Sequence, residues 1–420
     1  MSSPTNERSG KLPLVVWVMS AGTFLMGTTE FVIAGLLPEM AGDLGVSVAR
    51  TGLLITAFAV GMIVGAPLMA VATLRLPQRS TLVMALAIFS VGHVIAALSS
   101  SFTILLAARV VTALATGAFW SVGAVVATTA AGPAASSRAL GVMNGGMTIA
   151  NVIGVPLGAW AGQFIGWRGP FWVLAALSAA AVPAILRLMP AVERHEVPSI
   201  RAEFAALRQG RIWLALSAAA LLMGGLMATY SYISPLLTER AGIPSGAVAL
   251  VLVGFGVGAL LGTTAGGRFG DRRPSATTLT GAALTALVLL LLVPLSTSAV
   301  ATVILVVLMG MTGFTVVPVV TALAVRFGGS APTLAAALTV SAFNTGTAVG
   351  SWAGGISLDS SLGQTGPALV GAVVATLTLV PLTVLALRRT PRTQESRLVR
   401  QGTDQEEGTA GDADTRRATV

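Results

Sequence analysis

Two charged side chains stand deep inside apolar stretches of this 420-residue chain, and they have opposite signs. Glu30 is the only acid well inside any such stretch, and Arg109 is the only base. Burying either group in hydrocarbon is costly enough that such residues usually face a cavity or a partner. A carboxyl group there can take up and release a proton, while a guanidinium stays charged throughout. Two opposed influences then set the ionisation of Glu30: loss of water and the nearby cation. A small change in water access or separation swings its proton affinity, which is the chemistry of proton-coupled movement. The bland alternatives are a Glu held by hydrogen bonds and an Arg strut on backbone carbonyls. For Arg109 the strut and the coupling role are compatible.

The stretches that hold these two residues must be membrane helices. The chain is 54% hydrophobic and only 10% charged, with mean hydropathy +0.85. A soluble protein of this length could not keep such a surface in water. Twelve apolar segments, each long enough to span a bilayer, are expected at 12–37, 51–73, 79–98, 102–128, 139–161, 168–189, 212–237, 246–268, 276–295, 298–323, 333–357 and 365–387. Glu30 lies eight residues before Pro38, the expected outer end of the first segment, and Arg109 lies seven after Phe102, the outer start of the fourth. At 1.5 Å per residue both sit about 10–12 Å from the outer ends, so the two charges should share a depth.

Charge placement sets the orientation. With the first segment running outward, 21 of the 25 Lys and Arg residues fall in cytoplasmic stretches, and only Arg50, Arg168 and Arg240 fall in outer loops. This is the positive-inside pattern. It implies a multi-pass protein of the cell (inner or plasma) membrane with both termini cytoplasmic. It also explains the net charge of +9 without a nucleic-acid partner. There are no cysteines, so disulfide and thiolate-metal chemistry are excluded. His93 and His195 are too scattered to make a metal site. No phosphate-cradling Gly-Lys-Ser/Thr loop and no paired carboxylates occur. The expectation is no enzyme and no cofactor, with a proton gradient as the energy source.

The chain is doubled. Gly61, Gly65, Arg75 and Pro77 recur at a constant offset of 197 as Gly258, Gly262, Arg272 and Pro274, and Pro38/Pro235, Phe58/Phe255 and Val60/Val257 keep the offset. The domain reading follows: a cytoplasmic N-terminus at 1–11, a six-helix bundle at 12–189, a connector at 190–211, a second six-helix bundle at 212–387 and a disordered tail at 388–420. In the connector, Ile200, Phe204 and Leu207 have the spacing of a short amphipathic helix on the inner membrane surface; a flexible linker is the alternative.

Several stretches resemble one family. Two six-helix halves joined by a long central loop are similar to the major facilitator superfamily, an all-α fold of twelve transmembrane helices in two pseudo-symmetric bundles. The run from Gly27 through Glu30 to Pro38 resembles the first helix of its twelve-span drug:proton antiporter branch. Gly65-Ala-Pro-Leu68, Arg109 to Phe119, Gly154-Val-Pro-Leu-Gly158 and Gly166-Trp-Arg168 resemble the chloramphenicol-resistance exporters and their arabinose- and purine-exporter relatives. The resemblance implies that the first and fourth helices line a central cavity, with Glu30 and Arg109 on one wall.

Further residues are expected around that cavity. Thr112, Thr116 and Trp120 share a face of the fourth helix with Arg109, and Met26, Thr23 and Ala34 share one with Glu30. Tyr230 and Asn344 are candidates from the second half; Trp120 and Tyr230 read equally as packing or lipid-interface residues. The second-half equivalent of Glu30 is Met227, so no second acid awaits a cationic solute, and neutral solutes are favoured. Gly267 to Pro274, with Asp271 and Arg272, resembles the superfamily's cytoplasmic loop motif that latches helix ends; the first-half copy has Leu74 where Asp271 stands. Gly154, Pro156 and Gly158 resemble the exporters' fifth-helix motif, where Pro kinks the helix and Gly admits close contact.

The reading is a proton-coupled antiporter that exports a small, neutral, chloramphenicol-type molecule by alternating access. The alternative within transport is export of a sugar, nucleoside or other metabolite. A membrane enzyme or receptor would need more buried polar chemistry, and a channel would have no use for a proton couple. Partners are the solute, protons and lipid, and one chain can hold its own pathway, so a monomer suffices.

Overall fold

The computed structural model describes residues 12–72, 76–132, 135–189, 210–328 and 332–387. The expectations for 1–11, the connector helix, Leu74, Arg75 and the tail lie outside them. Twelve long helical elements follow one another: α1 (Leu14–Phe31), α2 (Val48–Ala72), α3 (Gln78–Leu98), α4 (Phe102–Ala131), α5 (Ser136–Ile149 and Val155–Ile165), α6 (Arg168–Leu188), α7 (Gly210–Tyr230), α8 (Ser245–Arg272), α9 (Pro274–Leu295), α10 (Ala299–Phe327), α11 (Pro332–Leu358) and α12 (Gly366–Leu377 and Leu379–Leu387). Among the described residues, eleven segments are long and apolar enough to cross a membrane. The exception, α11, is long enough but more polar. Its Thr339, Asn344, Thr347 and Ser351 are buried because it packs between α2 and α7.

The first span departs from its expected limits. α-Helical geometry stops at Phe31, a 3₁₀ turn runs over Val32–Gly35, and Pro38 sits at the start of a short helix, Leu37–Leu44. Pro has no N–H to satisfy, so it suits a helix start rather than the end assigned to it from sequence. Ala34, in the tightened turn, no longer follows the α-helical face of Glu30. A five-residue π turn at Ala150–Gly154 splits α5 directly before Pro156.

The sequence repeat is also a packing repeat. In the first half α2 crosses α4 where Gly61 meets Val110 and Ala113, and Gly65 meets Leu114. In the second, α8 crosses α10 where Gly258 meets Val307, and Gly262 meets Met311. Val110/Val307 and Leu114/Met311 keep the offset of 197. A β-carbon on Gly61 would lie 2.6 Å from that of Ala113. The glycines are there because two backbones approach closely, which is how membrane helices gain packing when lipid is as apolar as their side chains.

The halves meet along two seams, α2 with α11 and α5 with α8. The Thr56 and Ser351 hydroxyls are 2.8 Å apart, and Ser341 donates to the Ile63 carbonyl at 3.2 Å. Gln163 donates to the Ser245 carbonyl at 2.6 Å. Tyr232 donates to the Ser351 carbonyl at 2.9 Å and reaches that of Ala49 at 3.4 Å, its ring filling the space a side chain on Gly52 would need. At the Asn151–Val152 backbone, Gly256 lets α8 come within contact of α5; an added β-carbon would lie 2.5 Å from the Asn151 oxygen. Pro156 has no N–H to bond back to this stretch.

The core is shared at one end only. Ile33, Leu36 and Leu37 join Leu54, Ile233, Leu236, Leu237 and Leu252 in a cluster common to both halves. At the opposite end, each half has its own core: Val16, Met19, Leu86, Phe89 and Met143 in the first, and Ile212, Leu216, Ala324 and Ala335 in the second. The molecule is closed at the end where α1 finishes and α2 begins.

Candidate functional site at the α1–α2–α4 junction

Arg109 is 3% exposed and is held by two neighbouring elements, α1 and α2. Its Nη1 donates to the Thr29 carbonyl at 3.0 Å and to Thr29 Oγ1 at 3.1 Å, and its Nε donates to the Leu54 carbonyl at 3.2 Å. The guanidinium lies over the Phe58 ring at 4.3 Å. A carbonyl beside the change from α to 3₁₀ geometry loses its usual partner, and Arg109 takes that of Thr29. The Nη2 atom is buried with no hydrogen-bond partner.

Glu30 follows Thr29, so the sharing of depth expected from helix ends holds. The residue is partly exposed. The two charges attract across a gap too wide for an ion pair, and no hydrogen bond to the carboxylate occurs among the described residues. A buried, unfilled donor thus sits near a partly exposed carboxylate that no described residue hydrogen-bonds. Chemically, such an arrangement can hold a proton, a water or a polar group of a solute.

Two residues were not assigned here from sequence. His93 on α3 is 1% exposed; its Nε2 lies 2.7 Å from Thr29 Oγ1 and its Nδ1 lies 2.7 Å from the Phe89 carbonyl. From sequence it is excluded only as a metal ligand. Thr29 carried no signal beyond its place next to Glu30. Phe58 was visible as a repeat residue, but its contact with Arg109 was not.

The second half breaks the symmetry at this level. Val306 stands at the repeat position of Arg109 and is fully buried. Without a guanidinium above it, Phe255 stacks on Tyr230, with ring centroids 4.3 Å apart and planes tilted by 30°. Phe314 meets Phe255 edge-on at 6.1 Å, and Phe31 of the first half meets Tyr230 edge-on at 6.2 Å. One half has charge at this level and the other has packed aromatic rings.

The remaining sequence candidates are dispersed. Met26 is fully buried. Thr112 and Thr116 are buried, and their hydroxyls bond the carbonyls of Arg109 and Thr112 in their own helix. Trp120 is half-buried. Asn344 donates to the Val340 carbonyl at 3.0 Å and leaves its Oδ1 buried and unpartnered. Gly154 presses against Thr28 of α1 and Gly158 against Val32 of the 3₁₀ turn, flanking the buried Pro156. Gly267 has open space around it. Asp271 and Arg272 are exposed, with no ion pair among the described residues. Asp359 lies in the turn after α11.

The Gly166-Trp-Arg168 stretch forms a clasp at the closed end. Asp43 Oδ2 accepts from Arg168 Nη1 at 2.6 Å and from Trp167 Nε1 at 3.2 Å, and Arg168 Nη2 donates to the Ser99 carbonyl at 3.2 Å. These bonds, that from Arg168 foremost, hold the Asp43 carboxyl below the usual carboxylate range. In the second half the repeat positions of Asp43 and Ser99 are Arg240 and Ser296, and they bond directly at 2.7 Å.

Comparison with known proteins places the chain in a family. The sequence profile of the Major Facilitator Superfamily matches residues 19–339 and 248–410. A chloramphenicol resistance protein of Streptomyces lividans is 34% identical over 373 residues, 88% of this chain and 95% of that protein. The inner membrane transport protein YdhP of Escherichia coli K12 is 34% identical over 383 residues, 91% of this chain and 98% of its own length. Among solved structures, the nucleoside transporter NupG aligns over 89% of this chain and 99% of its own, with TM-score 0.72 and 13% identity. A bacterial homologue of the lysosomal transporter Spinster, captured inward-facing, aligns over 89% and 94%, with TM-score 0.68 and 19% identity.

Proposed function

The chain belongs to the Major Facilitator Superfamily of membrane transporters, and from that premise we propose that it is a proton-coupled antiporter exporting small, neutral, chloramphenicol-type molecules by alternating access. The observation that carries this reading is the partly exposed, unpaired carboxylate of Glu30 beside the anchored charge of Arg109. In an outward-open state Glu30 takes a proton from outside. When the halves rock, it meets the cytoplasm and releases the proton; the vacated carboxylate then accepts from, and the free Nη2 of Arg109 donates to, water or the polar part of the solute. Proton and solute then occupy the site alternately, which couples the two fluxes.

The excess of Arg in the loops on one side supports an inner-membrane orientation with cytoplasmic termini. In that orientation the shared core seals the outer side. The absence of charge at Met227 and Val306 supports a neutral solute, and the partly exposed Phe314 at the edge of the buried Tyr230–Phe255 stack offers contact for an aromatic one. The name of the 34%-identical Streptomyces lividans relative points the same way.

The test is an antibiotic susceptibility panel in cells with and without the intact gene, repeated for Glu30→Gln. The wild type should raise resistance to chloramphenicol, and the variant should not, while still binding the drug. If Glu30→Gln pumps uphill as well as the wild type, the coupling role is wrong. Export of a sugar or nucleoside instead would keep the transporter and replace the solute.

A further inference from the structure

Nearly every hydroxyl inside these helices is spent locally. Thr28, Thr116, Ser121, Thr285 and Thr312 donate to the carbonyl four residues back, the usual habit of Thr and Ser in helices. Thr29 does not. Its Oγ1 receives Nη1–H of Arg109 at 3.1 Å and faces Nε2 of His93 at 2.7 Å. The His93 Nδ1 is 2.7 Å from the Phe89 carbonyl. A carbonyl only accepts, so Nδ1 carries the ring hydrogen and Nε2 offers its lone pair. The hydrogen of Thr29 then goes to Nε2, and its oxygen lone pairs turn to Arg109. The His93 ring is itself fixed, with Phe89 at 4.1 Å and Phe171 at 5.8 Å.

We infer that His93 is a positioning residue for proton coupling: by taking the Thr29 hydrogen it keeps Thr29 an acceptor, and so fixes the Arg109 guanidinium beside Glu30. Without an acceptor on α3, the Thr29 hydroxyl turns back to its own helix like its neighbours. Arg109 Nη1 then loses the bond to Oγ1 and keeps only the Thr29 carbonyl. The guanidinium gains freedom to move along the gap to Glu30. Only Arg109 acts through space on either His93 or Glu30 among the described residues, and the facing stretches of α4 and α6 bring no other titratable group. The proton affinity of Glu30 therefore reports the pose of Arg109.

This inference rests on the coupling role proposed above, so it is tested by a measurement that needs no solute. The full chain, reconstituted in lipid, is titrated while the infrared band of the Glu30 carboxyl is followed, with Glu30→Gln identifying the band. His93→Leu and Thr29→Val should move the midpoint by about one pH unit, a tenfold change in proton affinity. His93→Gln, whose amide oxygen can accept the same hydrogen, should stay near the wild type. An unmoved midpoint in His93→Leu overturns the inference. So does a His93→Gln midpoint that moves as far as that of His93→Leu, because ring packing would then be the cause. Chloramphenicol-driven proton movement into wild-type vesicles is measured separately. Its absence would remove the proposed function and leave the infrared result standing.

Discussion

Phe58 and Phe255 occupy the same place in the two halves and hold different partners: the Arg109 guanidinium at 4.3 Å over the first, and the Tyr230 ring at 4.3 Å against the second. The divergence follows from one position, Arg109 in the first half and Val306 in the second. It divides labour between halves that otherwise pack alike. Phe58→Leu should impair proton coupling while sparing drug affinity, and Phe255→Leu should do the reverse. An aromatic pair contributes about 1 kcal/mol, so loss of the Phe255 stack should weaken chloramphenicol binding about fivefold. Equilibrium binding to purified protein checks this, and unchanged affinity in Phe255→Leu would remove the aromatic surface from the solute site.

The repeated glycine crossings should be intolerant of one added carbon. In Gly258→Ala the new methyl collides with the Val307 backbone oxygen, and in Gly61→Ala it lands 2.6 Å from the Ala113 side chain. Neither neighbour can swing away, because the Ala113 β-carbon is fixed to its own backbone, and the Gly258 methyl makes the closer contact. Overpacking of this kind costs about 1–3 kcal/mol, and Gly258→Ala should lower the melting temperature more than Gly61→Ala. Equal melting for both variants and the wild type would mean that the crossings are looser than described.

The absence of native cysteine makes the α2–α11 seam testable by cross-linking. The Thr56 and Ser351 hydroxyl oxygens are 2.8 Å apart, and a disulfide spans about 2.05 Å between sulfurs. The Thr56→Cys, Ser351→Cys double variant should therefore oxidise readily. Oxidation should stop transport, and reductant should restore it. Cross-linking with full activity would mean that this seam does not part during turnover.

The clasp around Asp43 predicts an acid-sensitive increment of stability. Its carboxyl is held below its ordinary value by Arg168 first and Trp167 second. A group shifted this way stabilises the fold above the unfolded-state value and loses that contribution as pH falls through the folded-state one. The window therefore opens below about pH 4. Both partners are substantially exposed, so the contribution is about 1 kcal/mol or less. Asp43→Asn should melt slightly below the wild type at pH 7 and converge with it in acid. A constant difference across that window would rule out the charge as its source.

The charges were legible in the sequence because hydrocarbon makes them rare. Glu30 and Arg109 stood out by exclusion, and helix rise placed them at one depth. The duplication was legible because close backbone crossings demand glycine at fixed places. The Thr29–His93 bond was not legible, since it joins α1 to α3 and no spacing within one helix encodes it. Nor was the tightening after Phe31, which moved the first span's end away from Pro38. Polar α11 was placed correctly despite its Thr and Ser residues, because lipid-facing apolar positions remain between them.

The one-sided core sets a condition on the whole cycle. Parting the sealed end would wet the apolar faces around Leu36, Leu37, Ile233 and Leu252, and each 100 Å² so exposed costs about 2.5 kcal/mol. One proton and one small solute cannot sustain a large deficit of that kind. The opposite ends must therefore come together and hide a comparable area as this end parts, leaving the two poses close in free energy. Strengthening the apolar contact at either mouth would then arrest the rocking while making the protein more robust to heat.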